Sequence, residues 1–295
     1  MDIISIRDLE KKEIESILIL AERFADGKLK RKYEKILATL FFEPSTRTRL
    51  SFQAAALRLG MGYLDFSPDN SSLKKGEAFV DTVKVISGYA DVVVIRHAKE
   101  GSARLAADVV EKPVINGGGG GNQHPTQTFI DLFTIRKIKG KIANLNISLL
   151  GDLKHARTMQ SLVYALAMFG AKITLISPKG LELDSALVRE VEEKFNARIK
   201  TKTEMNFDGA DVLYVCRIQE ERFADPYEAK RVKEQFMLKG IHLENTKKDL
   251  AILSPLPKLN EISHEVDSSD KAKYFEQARY GVPVRMAIID YILNK

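Results

Sequence analysis

Ser45-Thr46-Arg47-Thr48 follows the apolar run Leu37–Phe42 after only Glu43 and Pro44. A helix-patterned stretch comes next, with apolar residues at Leu50, Phe52, Ala55, Ala56 and Leu59. Three hydroxyls and a guanidinium therefore stand where a strand hands over to a helix. A helix start presents unpaired N–H groups and the positive end of the macrodipole. Hydroxyls and an Arg fork added there suit a phosphate dianion. A plain helix cap needs one hydroxyl, so the surplus points to anion binding.

Further groups stand at the ends of other apolar runs. Arg96 closes Val92–Ile95, and its neighbour His97 should face the opposite side and reads as structural. His124 follows the glycine run 117–121, and Pro125 fits the first position of a helix. Gln127, three residues on, shares the helical face of His124. The glycine run is no dinucleotide fingerprint: Asn122 holds the sixth position, and no clear ribose-binding acid follows at the right distance. Arg157 stands just after Gly151-Asp152-Leu153-Lys154-His155-Ala156, and Arg217 follows Val212–Cys216 with Gln219 nearby. Arginine forks suit carboxylates. Glu43 and Glu77 read as structural acids that could pair with arginines.

The elements that must position these groups alternate. Strands are expected at Ile36–Phe42, Tyr63–Phe66, Val92–Ile95 and Pro113–Asn116, then at Ile147–Leu150, Ile173–Ile176, Val212–Cys216 and Ala251–Leu253. Helices are expected near Arg49–Leu59, Ala78–Gly88, Ala103–Val110, Thr126–Lys139, Thr158–Phe169, Ala186–Phe195, Pro226–Met237 and Val284–Leu293. Short continuous apolar strands between helices imply parallel sheets covered on both faces. The expected fold is α/β, with two doubly wound parallel-sheet domains of four strands each joined by interdomain helices. Ligands of such folds bind in crevices at the carboxyl ends of strands, here a cleft between the domains. Ser67–Gly76 reads as a polar loop and the glycine run as a mobile one.

The 295 residues suffice for two domains, and 44% hydrophobic content supports sizeable cores. No apolar run approaches the ~20 residues of a membrane span. The start Met1-Asp2-Ile3-Ile4-Ser5 lacks a secretory pattern, so the cytoplasm is the expectation. Cys216 is the single cysteine, which excludes an internal disulfide and a Cys-rich metal site. The net charge of +6 suits anionic substrates. Its densest basic run, Lys28-Leu29-Lys30-Arg31-Lys32, reads as a solvated helix end, and no nucleic-acid motif accompanies it. A charged fraction of 29% leans weakly towards a thermophile.

Taken together, Phe42-Glu43-Pro44-Ser45-Thr46-Arg47-Thr48-Arg49, Ser71-Ser72-Leu73-Lys74-Lys75-Gly76-Glu77, Arg96-His97 and Asn122-Gln123-His124-Pro125-Thr126-Gln127-Thr128 resemble the aspartate/ornithine carbamoyltransferase family. The resemblance continues through Gly151-Asp152-Leu153-Lys154, Arg217-Ile218-Gln219 and Pro255-Leu256-Pro257, and these look like the aspartate branch. It implies transfer of a carbamoyl group from carbamoyl phosphate to L-aspartate in pyrimidine biosynthesis, with no metal or cofactor. Ser45, Thr46, Arg47, Thr48, Ser71 and Arg96 would bind the phosphate. His124 would polarise the carbonyl, and Gln127 with the carbonyls of Pro255 and Leu256 would hold the carbamoyl amide. Arg157, Arg217, Gln219 and Lys75 would take the aspartate carboxylates, and Arg47, Thr48, Lys75, Arg96 and His124 would carry catalysis.

The resemblance further implies a carbamoyl-phosphate domain over residues 1–130 with a returning C-terminal helix at 281–295, and an aspartate domain over 131–280. It implies a homotrimer in which Ser71 and Lys75 serve the neighbour's site, with Ser72 as the alternative to Ser71. A regulatory chain joins the assembly in some members. No nucleic acid and no membrane are implied as partners. Ser254, Lys258 and Ala156 depart from common family residues beside the site. The alternatives are a carbamoyltransferase for another amine such as ornithine, and a non-catalytic phosphate-binding subunit. The Ser-Met-Gly and Cys-Leu-Pro runs of the ornithine branch do not occur in this chain.

Overall fold

The structure, a computed structural model, describes residues 1–120 and 123–295, apart from the side chain of Asn70. The chain forms two compact units, Met1–Phe133 with Arg279–Lys295, and Thr134–Ala278.

In the first unit, helix α1 (Lys11–Ala25) precedes strand β1 (Ile36–Phe41), and helix α2 (Thr46–Arg58) leads to β2 (Gly62–Phe66). Helix α3 (Phe79–Ser87), β3 (Val92–His97), α4 (Ser102–Val109), β4 (Val114–Gly119) and α5 (Pro125–Lys139) follow. The unit boundary falls inside α5. The four strands are all parallel, in the order β2-β1-β3-β4. β1 and β3 are nearly continuous apolar runs because helices cover both faces of the sheet. β2 lies at the edge and is largely exposed. Ala38, Leu40, Val93, Ile95 and Val114 anchor one core cluster, with Val83, Ala103 and Ala106 from α3 and α4.

The second unit carries β5 (Asn146–Leu150), α6 (Arg157–Met168), β6 (Lys172–Ile176), α7 (Ser185–Phe195), β7 (Ile199–Lys202) and β8 (Val212–Val215). Then come α8 (Pro226–Gln235), β9 (Ala251–Leu253), the one-turn α9 (His264–Asp267) and the start of α10 (Tyr274–Leu293). Its sheet is also parallel, in the order β7-β6-β5-β8-β9. Leu150, Ile176, Leu213, Val215 and Ile252 pack with Phe207, Phe236 and Tyr274 in its core.

Four expectations need correction. The second sheet has five strands, because β7 reads Ile-Lys-Thr-Lys and lies exposed at an edge, where burial leaves no apolar run to find. Glycines 117–119 form the end of β4 rather than a loop, and Gly119 pairs with His97; Gly121 and Asn122 lie outside the described residues. The closing helix starts at Tyr274, ten residues before Val284, because Gly281 and Pro283 inside it break the helical signal. The polar stretch 67–76 folds into two 3-10 turns, Pro68–Asn70 and Ser72–Lys75.

Candidate active site

Each sheet reverses its winding once, between β1 and β3 and between β5 and β8. At such a point the segments leaving two neighbouring strands diverge and open a crevice. Ser45–Thr48 and Arg96 stand at the first of these ends, Asp152 and Arg217 at the second.

In the first unit, β1 passes through Phe42-Glu43-Pro44 into α2. The helix begins at Thr46, so Thr46, Arg47 and Thr48 form its first turn rather than preceding it. Ser45 is extended at φ −158°, and its hydroxyl makes no capping bond to the helix. No acid occupies that turn. Thr48 is buried, and partial burial lowers the pKa of Arg47. Hydroxyls not spent on capping, first-turn N–H groups and Arg47 thus make a cradle for an anion.

Arg96 lies beside this turn, since it pairs in register with Phe41, and its carbonyl accepts the Phe42 N–H at 2.8 Å. Glu43 Oε1 lies 2.8 Å from Arg96 Nε, and Arg96 Nη1 donates to the Gly117 carbonyl at 3.2 Å. Gly118 explains why the strand ends in glycines. A Cβ there would stand 2.8 Å from Arg96 Nη1 and 3.3 Å from His124 Nε2, at φ +112°. Glycine suits both this φ and the space that the guanidinium and the imidazole take beside the strand end. His124 is buried, with Nδ1 3.5 Å from Thr126 Oγ1. Gln127, in the first turn of α5, donates from Nε2 to Asp131 Oδ1 at 2.8 Å. That bond directs the amide oxygen of Gln127 to other donors.

Ser71 and Lys75 are not tied to this cluster within one chain. The Ser71 hydroxyl donates to the Pro68 carbonyl at 2.8 Å and accepts from the Leu73 N–H at 3.4 Å. Lys75 is exposed, and no hydrogen bond or ion pair joins it to another described residue. His97 packs among Phe42 and Phe79, which supports its structural reading.

In the second unit, Arg157 opens α6 and Arg217 follows β8. Arg217 Nη1 is 3.0 Å from Glu221 Oε2, and Nη2 pairs with Oε1. The two-point pair raises the arginine's pKa and lowers the glutamate's. Glu221 is more than half exposed, so the pair adds little stability and mainly fixes the guanidinium plane. Asp152 is fully buried between the two strand ends. It accepts from the His155 N–H at 3.0 Å and the Gln219 N–H at 3.4 Å. Gly151 allows the close approach, because a Cβ there would stand 2.1 Å from the Cys216 carbonyl oxygen. In Pro255-Leu256-Pro257, Leu256 is left-handed at φ +53° and its N–H reaches Ser254 Oγ at 3.4 Å. The departure Ser254 thus holds the turn from within, while its own N–H donates to Gln277.

Asp131, Asp152, Gly118 and Glu221 are orienting residues that the motif reading passed over. The four-residue spacing 127–131 within one helix was a usable signal; nothing local marked Gly118 or the turn that brings Glu221 to Arg217.

Two parallel-sheet units, one with an anion cradle and one with arginines at strand ends, are the architecture of a known enzyme family. The chain belongs to the aspartate/ornithine carbamoyltransferase family. Residues 1–137 match its carbamoyl-P binding domain and residues 143–292 its Asp/Orn binding domain. Within it, the chain is 50% identical to the aspartate carbamoyltransferase catalytic subunit of Methanopyrus kandleri, over 99% of this chain and 97% of that one. Its fold is similar to the catalytic subunit of M. jannaschii aspartate transcarbamoylase, with a TM-score of 0.92 at 45% identity over 99% and 98% of the two chains. It is also similar to the Trypanosoma cruzi aspartate transcarbamoylase in complex with N-(phosphonacetyl)-L-aspartic acid, at 0.90 and 31% over 98% and 94%.

Gly118→Ala should push Arg96 and His124 apart. Phosphate affinity measured by calorimetry should fall about tenfold or more, with a stability loss of ~1–3 kcal/mol from the positive φ. Unchanged phosphate binding would show that the positions of the two side chains do not matter to the anion.

Proposed function

We propose that this chain transfers the carbamoyl group of carbamoyl phosphate to L-aspartate, releasing N-carbamoyl-L-aspartate and phosphate. The observation that carries the reading is the helix start at Ser45–Thr48 set beside Arg96, with Arg96 and His124 both flanking Gly118. A phosphate site alone would not need a buried imidazole and an oriented amide.

In this reading Ser45, Thr46, Arg47, Thr48 and Arg96 hold the phosphate. Arg47 offsets the charge that grows on it as the C–O bond breaks. His124 acts in the form that carries its proton on Nε2 and donates it to the carbonyl oxygen. Arg96, next to it, serves both the phosphate and that oxygen. The Gln127 oxygen accepts from the carbamoyl NH2 group, and the carbonyls of Pro255 and Leu256 complement it. Arg157 takes the α-carboxylate of aspartate, and Arg217, held by Glu221 and with Gln219 nearby, takes the side-chain carboxylate. The amine then attacks a carbonyl that is already polarised, so positioning and fixed charge supply most of the rate. The setting proposed is pyrimidine biosynthesis in the cytoplasm. No helix among the described residues is long and apolar enough to cross a membrane.

With carbamoyl phosphate supplied, L-aspartate should release phosphate and L-ornithine should not, because a cationic side chain is repelled by Arg217. Equal release with ornithine would remove the aspartate assignment.

We also propose a trimer in which Ser71 and Lys75 act in the neighbour's site; Lys75 is exposed and its side chain bonds to no described residue. Arg47→Ala and Lys75→Ala trimers should each be nearly inactive. Subunit exchange between them should restore roughly a quarter of wild-type activity, because about three-quarters of the rings are mixed and each mixed ring holds one intact site. No recovery after confirmed exchange would place Lys75 in its own chain's site.

A further inference from the structure

Arg285 is a buried cation for which the described residues supply no counter-ion. It lies in the part of α10 that belongs to the first unit and is 3% exposed. Its guanidinium carbon stands 5.0 Å from the centre of the Phe52 ring on α2, and Nη1 donates to the Gly281 carbonyl at 3.2 Å. Among the described residues no carboxylate pairs with it, and no acceptor reaches its buried Nε. Burial, and after it the positive charge of Arg96, pull its pKa down to about 9. A guanidinium still keeps its proton at neutral pH, so the charge is present and poorly compensated.

The slot is built for this group. A Cβ on Gly281 would stand 2.7 Å from Arg285 Nη1, so the helix carries glycine where the guanidinium lies. The same position faces Ser51 on α2 at 3.9 Å. An apolar side chain of similar length would stack on Phe52 without the cost of burying a charge. A second cation near Arg96 makes that cost larger. The arrangement becomes favourable once a dianion arrives at the start of α2, because a charge in a low-dielectric surrounding acts over several ångströms.

We propose that Arg285 is a positioning residue of the anion site. Its stacking on Phe52 sets α2, and its charge is balanced by the phosphate held at Ser45–Thr48 and Arg96. The proposal rests on the carbamoyl-phosphate reading of that site and adds a residue no motif marks.

The test uses the full-length protein with Arg285→Met, Arg285→Gln and Arg285→Lys, with inorganic phosphate as the binding probe and carbamoyl phosphate in steady-state kinetics. The Met and Gln variants should bind phosphate about tenfold more weakly. Their KM for carbamoyl phosphate should rise more than kcat falls. Their melting temperature without phosphate should be equal to or above that of the wild type, and phosphate should raise it less. The Lys variant should regain most of the phosphate affinity. A neutral variant that melts earlier yet binds phosphate like the wild type would make Arg285 a packing residue and overturn the proposal. If Met does not fold, Gln against Lys decides: equal phosphate affinity in the two overturns it. Failure of the wild type itself to bind phosphate would instead remove the underlying site, and the proposal with it.

Discussion

A parallel strand can be followed only by a crossover, and neighbouring strands part company only where the order of crossovers reverses. In this chain those places are the carboxyl ends of β1 and β3 and of β5 and β8. The placing of Arg47, Arg96, Asp152 and Arg217 follows from that constraint. The first reversal sets a helix start beside Arg96, so backbone N–H groups, hydroxyls and guanidinia converge without any long loop. The second sets Asp152 and Arg217 at adjacent strand ends, with Arg157 opening the helix that leaves β5.

Cations gathered at strand ends must be kept from collapsing onto their neighbours or drifting. Acids do this at each step. Glu43 holds Arg96, Asp131 turns Gln127, Asp152 ties the two strand ends, and Glu221 fixes the plane of Arg217. Arg285 is the exception: buried against Phe52 of α2, it has Arg96 as its charged influence and no acid partner among the described residues. That contrast between oriented and uncompensated arginines is what a substrate dianion is suited to resolve.

The sequence made the apolar strands and the chemistry-bearing runs legible because both are local. Ile36–Phe41 and Val92–Ile95 are buried on two faces and so read as unbroken apolar stretches, and Ser45-Thr46-Arg47-Thr48 declares itself by its surplus of hydroxyls. β7 was invisible because an exposed edge needs no apolar residues. The early turns of α10 were hidden by Gly281 and Pro283, although Gly281 stands where the Arg285 guanidinium needs room. The glycines before His124 looked like a loop because their reason is non-local: Gly118 clears space for Arg96, which comes from another strand. Glu221 and Asp131 stand four residues from their partners, yet only the fold shows that each holds its partner in place.

The central claim is that the start of α2, with Arg47 in its first turn, holds the phosphate of carbamoyl phosphate. Calorimetric binding of carbamoyl phosphate in the absence of aspartate, to the wild type and to Arg47→Ala, tests it most directly when paired with single-turnover rates on adding aspartate. The account predicts that the variant still binds, more weakly, and that its transfer rate falls about 100-fold or more, as when a preorganised charge contact is lost. A variant that binds and turns over like the wild type would contradict it.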